Sequence, residues 1–327
     1  MTDFTIEVKE LTMEFGSFKA VDSLSFRVER GSIFGLLGAN GAGKSTTIRM
    51  LCGLLRSTSG TATVGGYDIN TQSEEIKKNI GYMSQKFSLY EDLTVKENIR
   101  FFAGIYGLEE GQLEDRLQWP HLAGGIEGWW NHVTGELPAG WKQRLALICA
   151  VLHKPGILFL DEPTGGVDPL SRRDFWDIIS ELSVRGTTVI VTTHYLDEAE
   201  YCEKIALMHA GRLIAWGSPK ELKAEHMGRP LLELRCERPV AAMNLLRKEP
   251  WVLDISLFGT SLHLNVEDER QGRQRISALL QGGGIRLDGI EPIKPSLEDV
   301  FIHLIEKQAG DPAVLTAAFR PPSEGPL

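Results

Sequence analysis

The sequence predicts an α/β domain built around a phosphate-binding loop, followed by a smaller α+β domain. Three observations carry that prediction. Gly38-Ala39-Asn40-Gly41-Ala42-Gly43-Lys44-Ser45 has the spacing G-x-x-x-x-G-K-S, with an apolar run before it and a helical pattern from Thr46 to Leu55 after it. Ile157-Leu158-Phe159-Leu160 is a second apolar run and ends in Asp161-Glu162. From Leu231 to Ile305 the pattern reads strand, helix, strand, strand, helix, strand, helix.

Each element has a physical basis. Ile33-Phe34-Gly35-Leu36-Leu37 is apolar without alternation, as a parallel strand covered on both faces requires. The small residues after it let backbone N–H groups turn inward around a triphosphate. The helix N-terminus adds partial positive charge. Lys44 is placed to reach the β- and γ-phosphates and the Ser45 hydroxyl to ligate Mg²⁺. Asp161 emerges at the carboxyl end of its strand, where ligands bind in open α/β sheets, and is a second candidate for the metal. Glu162 beside it is the candidate general base for water. Thr187–Thr193 is a β-rich run ending at His194, separated from the carboxylate strand by a helical pattern over Trp176–Leu182. A neutral imidazole there can sense or polarise a γ-phosphate. Gln85 follows the strand-like Ile80–Met83, and Leu137-Pro138-Ala139-Gly140-Trp141-Lys142-Gln143-Arg144 opens an apolar helix, Leu145–His153.

In this order the chain resembles the ATP-binding subunit of ABC transporters. The resemblance covers residues 4 to 225. Within it, Leu137–Arg144 and Thr193–Glu200 look like the type-2 exporters, the drug and antibiotic efflux group. The resemblance implies ATP and Mg²⁺ as ligands. It implies that Phe15 stacks on adenine, although an aromatic on a β-ribbon can equally serve core packing. Gly38, Ala39, Asn40, Gly41, Ala42, Gly43, Lys44, Ser45 and Thr46 would bind the phosphates and Mg²⁺. Gln85 would contact Mg²⁺ and water and relay to the membrane partner. Asp161 would orient Mg²⁺, Glu162 would activate water, and His194 would hold the γ-phosphate. Asp168 would contact the opposite subunit of a homodimer or heterodimer of ATP-binding domains. The implied partner is an integral-membrane permease of the type-2 exporters, and the implied location is the cytoplasmic face of the membrane.

The signature segment departs from the family pattern. The usual Leu-Ser-Gly-Gly-Gln reads here Leu137-Pro138-Ala139-Gly140-Trp141. Pro138 has neither a hydroxyl nor an N–H, but proline suits the first position of a helix. Ala139 and Gly140 still bring N–H groups to a positive helix end, so a phosphate can dock through backbone donors.

Composition fits this reading. The chain has 327 residues, 42% hydrophobic and 24% charged, which is ordinary for a soluble globular protein. Its net charge of -9 and lack of a polybasic arm argue against a nucleic-acid partner. No apolar run has the length of a membrane helix, and the first ten residues lack the apolar region of a signal peptide. An exporter subunit of this kind needs its permease as a separate chain. Cys52, Cys149, Cys202 and Cys236 are scattered and read as buried free thiols in a reducing compartment.

Along the chain, residues 4–26 read as an antiparallel ribbon holding Phe15. Residues 86–153 read as a helical subdomain: Thr94 and Glu97 form a capping box, and Gly111–Trp130 is less regular. Trp129 and Trp130 in that stretch read as internal packing rather than as a permease contact. Asp168-Pro169 is an N-cap followed by proline at the first helical position. A second capping box at Ser218–Glu221 closes the first domain, residues 1–227. Composition resets at Gly228-Arg229-Pro230. Residues 228–308 then read as a ferredoxin-like split βαβ unit without a visible catalytic constellation. Residues 309–327 read as a disordered tail rich in Pro, Ala and Gly.

The reading that follows is an ATPase subunit driving small-molecule export. The alternative is a non-transport ABC protein acting on ribosomes or DNA. Such proteins usually carry two nucleotide-binding domains or a long coiled coil, whereas this sequence has one P-loop and no heptads. A GTPase is disfavoured because no Asn-Lys-x-Asp motif is present.

Overall fold

The structure, a computed structural model, describes residues 4–119 and 124–309. The chain separates into two compact units, Met1–Trp216 and Gly217–Leu327.

The first unit opens with β1 (Phe4–Phe15) and β2 (Phe18–Glu29), a long antiparallel ribbon. β3 (Ile33–Leu37) runs into the glycine-rich loop and α1 (Lys44–Leu51). β4 (Ser59–Val64) and β5 (Tyr67–Asp68) return to the ribbon, giving a four-stranded sheet in the order β2-β1-β4-β5. Then come α2 (Ser73–Asn79), β6 (Ile80–Met83), α3 (Val95–Ile105), α4 (Glu110–Leu117) and α5 (Ala139–Val151). The unit closes with β7 (Ile157–Asp161), α6 (Pro169–Val184), β8 (Thr188–Thr193), β9 (Lys204–His209) and β10 (Arg212–Gly217). The second sheet has the order β10-β9-β3-β8-β7-β6, with β9, β3, β8, β7 and β6 parallel.

Burial explains this order. Every residue of β3, β7 and β8 is buried, which is why their sequences carry no alternation. The four-stranded sheet packs on the same core: Val8, Leu24 and Phe26 meet Phe34, Ile48 and Phe159. Because the sheet is parallel, the carboxyl ends of β3, β7 and β8 lie together. The glycine-rich loop, Asp161-Glu162 and His194 therefore arrive at one edge.

Two helix readings change. α1 stops at Leu51 rather than Leu55, because Gly53 adopts a left-handed conformation (φ 67°) just past the cap residue Cys52. Pro138 is the N-cap of α5, not its first helical residue: its ψ of 150° is extended, and its carbonyl accepts the N–H groups of Trp141 and Lys142. Trp129 and Trp130 are both partly buried, and Trp129 lies 6.0 Å from Trp141, ring to ring.

The second unit holds α7 (Pro219–His226), β11 (Leu231–Cys236), α8 (Pro239–Leu246), β12 (Val252–Phe258), β13 (Ser261–Val266), α9 (Glu269–Gly282), β14 (Leu287–Ile293) and α10 (Leu297–Ala309). The sheet order β12-β13-β11-β14, antiparallel throughout, is the split βαβ arrangement. Leu232, Leu234, Leu262 and Leu264 bury one face against Ala242, Leu246, Ile276 and Leu280 of the two crossing helices.

The unit boundary lies ten or so residues before the compositional reset at Gly228. The capping box of α7 marks where a helix starts, not which core it joins, and α7 packs against α10. The tail from residue 310 onward lies outside the described residues.

Candidate nucleotide site

The loop between β3 and α1 owes its shape to two glycines, Gly38 and Gly43, where a side chain would collide with neighbouring backbone. Gly43 has φ 100°, and a Cβ there would stand 2.4 Å from the Ala20 carbonyl oxygen. A Cβ on Gly38 would stand 2.2 Å from the carbonyl oxygen of Met208. The backbone is thus pressed against β2 on one side and β9 on the other. We expect Gly43→Ala to destabilise the first unit by about 2–4 kcal/mol, as overpacking and left-handed strain add. Gly41→Ala is the control: its added methyl meets no atom within 4 Å, so only the strain at φ 83° remains, about 1–2 kcal/mol. Thermal unfolding of the two variants distinguishes them, and equal losses would contradict the steric account.

Lys44 is buried. Its ammonium donates to the carbonyl oxygens of Gly38 (2.8 Å) and Ala39 (3.2 Å) and lies 3.3 Å from Glu162 Oε1. Burial pulls its pKa below the usual lysine value, with the Glu162 charge opposing the shift. Ser45 Oγ donates to Asp161 Oδ1 at 2.9 Å, and Thr192 Oγ1 donates to the same oxygen at 2.6 Å. Burial raises the Asp161 pKa, while the Thr192 and Ser45 hydrogen bonds hold it down.

Glu162 is the meeting point. Its carboxylate takes a hydrogen bond from Gln85 Nε2 (3.0 Å) and lies 3.4 Å from His194 Nδ1, besides its pairing with Lys44. Its backbone is left-handed (φ 50°), a strained conformation for a side chain of this size. Two bonds to Thr192 fix it, from Glu162 N–H to the carbonyl oxygen (3.1 Å) and to the hydroxyl (2.9 Å).

A cleft of about 420 Å³ is lined by Asn40, Gly41, Gly43, Lys44, Ser45 and Thr46 of the loop and by Gln85, Glu162 and Phe15, while Asp161 and His194 stand behind it against Ser45 and Glu162. Phe15 is 51% exposed there, so the packing role open to an aromatic on a ribbon is not the one it has. Phe18, 62% exposed, stands beside it on the same cleft. Pro138, Ala139, Gly140 and Asp168 are absent from this cleft. Asp168 caps α6 through the N–H groups of Leu170 and Ser171, and Gly140 faces Ser171 on a separate small pocket.

Sequence reading missed Thr192 and Phe18. Thr192 carried a signal: it is a hydroxyl one residue inside the end of an apolar strand, beside the carboxylate strand. Phe18 carried none, because a second aromatic on the ribbon looks like core.

Residues 21–165 match the family model described as ABC transporter, and residues 217–305 match that of the ATP-binding protein DrrA1-3-like C-terminal domain. The Nod factor export ATP-binding protein I of Rhizobium sp. (strain N33) is 35% identical over 309 residues, 94% of this chain and 99% of that one. The chain belongs to the ABC transporter ATP-binding proteins. It carries an ABC-type ATP-binding domain. The daunorubicin/doxorubicin resistance ATP-binding protein DrrA of Streptomyces peucetius is 35% identical and covered over 96% of each chain. The probable multidrug ABC transporter ATP-binding protein YbhF of Escherichia coli (strain K12) is 55% identical over 220 residues. Those residues are 67% of this ABC protein but span only 38% of YbhF. Among solved structures, an ATP-binding subunit of an ABC transporter aligns with a TM-score of 0.62 at 32% identity, over 68% of this chain and 92% of that one. A dimeric bacterial ABC transporter cassette aligns at 0.60 and 25% identity, over 65% and 98%.

Proposed function

We propose that this ABC ATPase powers the export of a small molecule (a drug, an antibiotic or a lipid-like compound) through a separate type-2 permease. The observation that carries the ATPase chemistry is the convergence of Lys44, Gln85 and His194 on the Glu162 carboxylate. The export reading is supported by relatives whose names specify multidrug, Nod factor and daunorubicin/doxorubicin systems. Those relatives weigh against a ribosomal or DNA role.

In this reading the loop amides and Lys44 bind the triphosphate, and Phe15 covers the adenine. Ser45 and Asp161 already meet through oxygen atoms, a donor set that suits a hard cation. With Gln85 they would hold Mg²⁺, which neutralises charge on the phosphates when bound. Glu162 accepts the proton of the attacking water, and His194 orients the γ-phosphate side of the site.

The cleft of one chain lacks the signature segment and Asp168. We infer that a second ATP-binding domain supplies them head to tail. The N–H groups of Ala139 and Gly140 belong to the first turn of α5, which an α-helix leaves unpaired. They can face the partner's triphosphate there. No helix among the described residues is long and apolar enough to cross a membrane, so attachment to the cytoplasmic face would come through the permease. Co-expression with the membrane protein encoded by the adjacent gene, followed by ATP-dependent transport into vesicles, tests the function. Failure of that pair to associate would count against a type-2 exporter.

A further inference from the structure

Glu198 lies outside the cleft, yet three functional loops end on it. It is 1% exposed. Its Oε1 accepts from the Thr164 hydroxyl (2.6 Å) and its Oε2 from the Thr193 hydroxyl (2.7 Å). Arg172 Nε, in the first turns of α6, stands 3.4 Å from Oε1. Thr164 and Thr193 are each 1% exposed, so the carboxylate and both hydroxyls are out of water, while the Arg172 side chain remains partly exposed. Thr164 lies two residues beyond Glu162, Thr193 immediately before His194, and Arg172 four residues beyond Asp168. Thr193 Oγ1 also takes the Tyr195 N–H at 2.9 Å, and the Arg172 guanidinium sits 4.1 Å from the centre of the Tyr195 ring. One buried carboxylate therefore ties the segment after Glu162, the segment around His194 and the helix that Asp168 caps.

The strain at Glu162 gives this tie a purpose. A left-handed glutamate relaxes unless both sides of it are held. Thr192 holds Glu162 itself, and Glu198 holds the loop two residues on through Thr164. The same carboxylate fixes Thr193, and hence the backbone from which His194 reaches Glu162. We propose that Glu198 is a positioning residue for ATP hydrolysis, holding Glu162 and His194 in mutual register without touching the nucleotide. The proposal rests on the roles given above to Glu162 and His194.

Glutamine keeps the size of Glu198 but replaces one acceptor oxygen with an NH₂ group. That donor meets either Thr164 Oγ1 or Thr193 Oγ1, and the Arg172 ion pair is lost. The cleft residues themselves are unchanged. In the full-length chain we expect Glu198→Gln to lower kcat about tenfold to a hundredfold, the scale of small misplacements in catalysis, with KM and ATP binding within about twofold of wild type. Thr193→Val, nearly isosteric but without the hydroxyl, should lose kcat similarly, and Thr193→Ser should restore it. The double variant Glu198→Gln/Thr193→Val should be no worse than either single variant, since both break one linkage. A kcat within twofold of wild type for Glu198→Gln, a loss confined to KM, or fully additive losses would each overturn the proposal. Glu162→Gln is run alongside. If it hydrolyses ATP normally, the assignment of the base has failed, and that failure is visible independently of Glu198.

Discussion

Lys44→Ala is expected to abolish ATP hydrolysis and to weaken nucleotide binding at least tenfold. In the proposed site, Lys44 is the one side-chain cation that the loop itself would place among the phosphates. It is also embedded in the loop, since its ammonium bridges the Gly38 and Ala39 carbonyl oxygens and Glu162. Alanine removes the charge that would meet the β- and γ-phosphates and leaves Glu162 without its closest cation. A charged hydrogen bond typically contributes about 1.5–3 kcal/mol, or roughly ten- to a hundredfold in affinity. Equilibrium binding and phosphate release by the purified variant check both effects. Turnover near wild type would contradict the assignment of the loop as the nucleotide site.

Glu162→Gln should lower hydrolysis at least a hundredfold while leaving ATP binding within about twofold. The amide keeps the volume and can still accept from Gln85, but it cannot take a proton from water. General-base catalysis commonly contributes 10²–10⁴-fold, so the loss should be of about that size. Because Lys44 then loses its buried counter-charge, a modest tightening on the anionic triphosphate is compatible with the prediction. Unchanged steady-state phosphate release would remove Glu162 as the base.

Much of this site was legible because its parts are local in sequence. The loop, the Asp161-Glu162 pair and His194 each follow a buried strand, and parallel pairing brings strand ends together without further information. The capping boxes at Thr94 and Ser218 and the Asp168 cap were readable for the same reason, since each closes within four residues. Contacts between distant segments were not readable. Thr192 reaches Asp161 only through the β7–β8 register, and Glu198 reaches Thr164 across 34 positions. Pro138 misled because proline is equally compatible with the cap and the first helical position, and only its ψ separates them. The division near Trp216 was missed because a helix start carries no label for the core it will join.

The most direct test of the account is sedimentation of the Glu162→Gln chain with and without ATP. The central claim is that each cleft is completed by the signature segment and Asp168 of a second ATP-binding domain. The account predicts single chains without nucleotide and a weak, ATP-dependent dimer with it. Its weakness follows from Pro138, which offers neither hydroxyl nor N–H where one hydrogen bond to a charged group contributes about 1.5–3 kcal/mol. Pro138→Ser should accordingly tighten the dimer. Tight association with Pro138 in place would show that the Ala139 and Gly140 donors suffice. A chain that saturates with ATP yet sediments as a monomer, with Pro138 or with Ser in its place, would contradict the shared site.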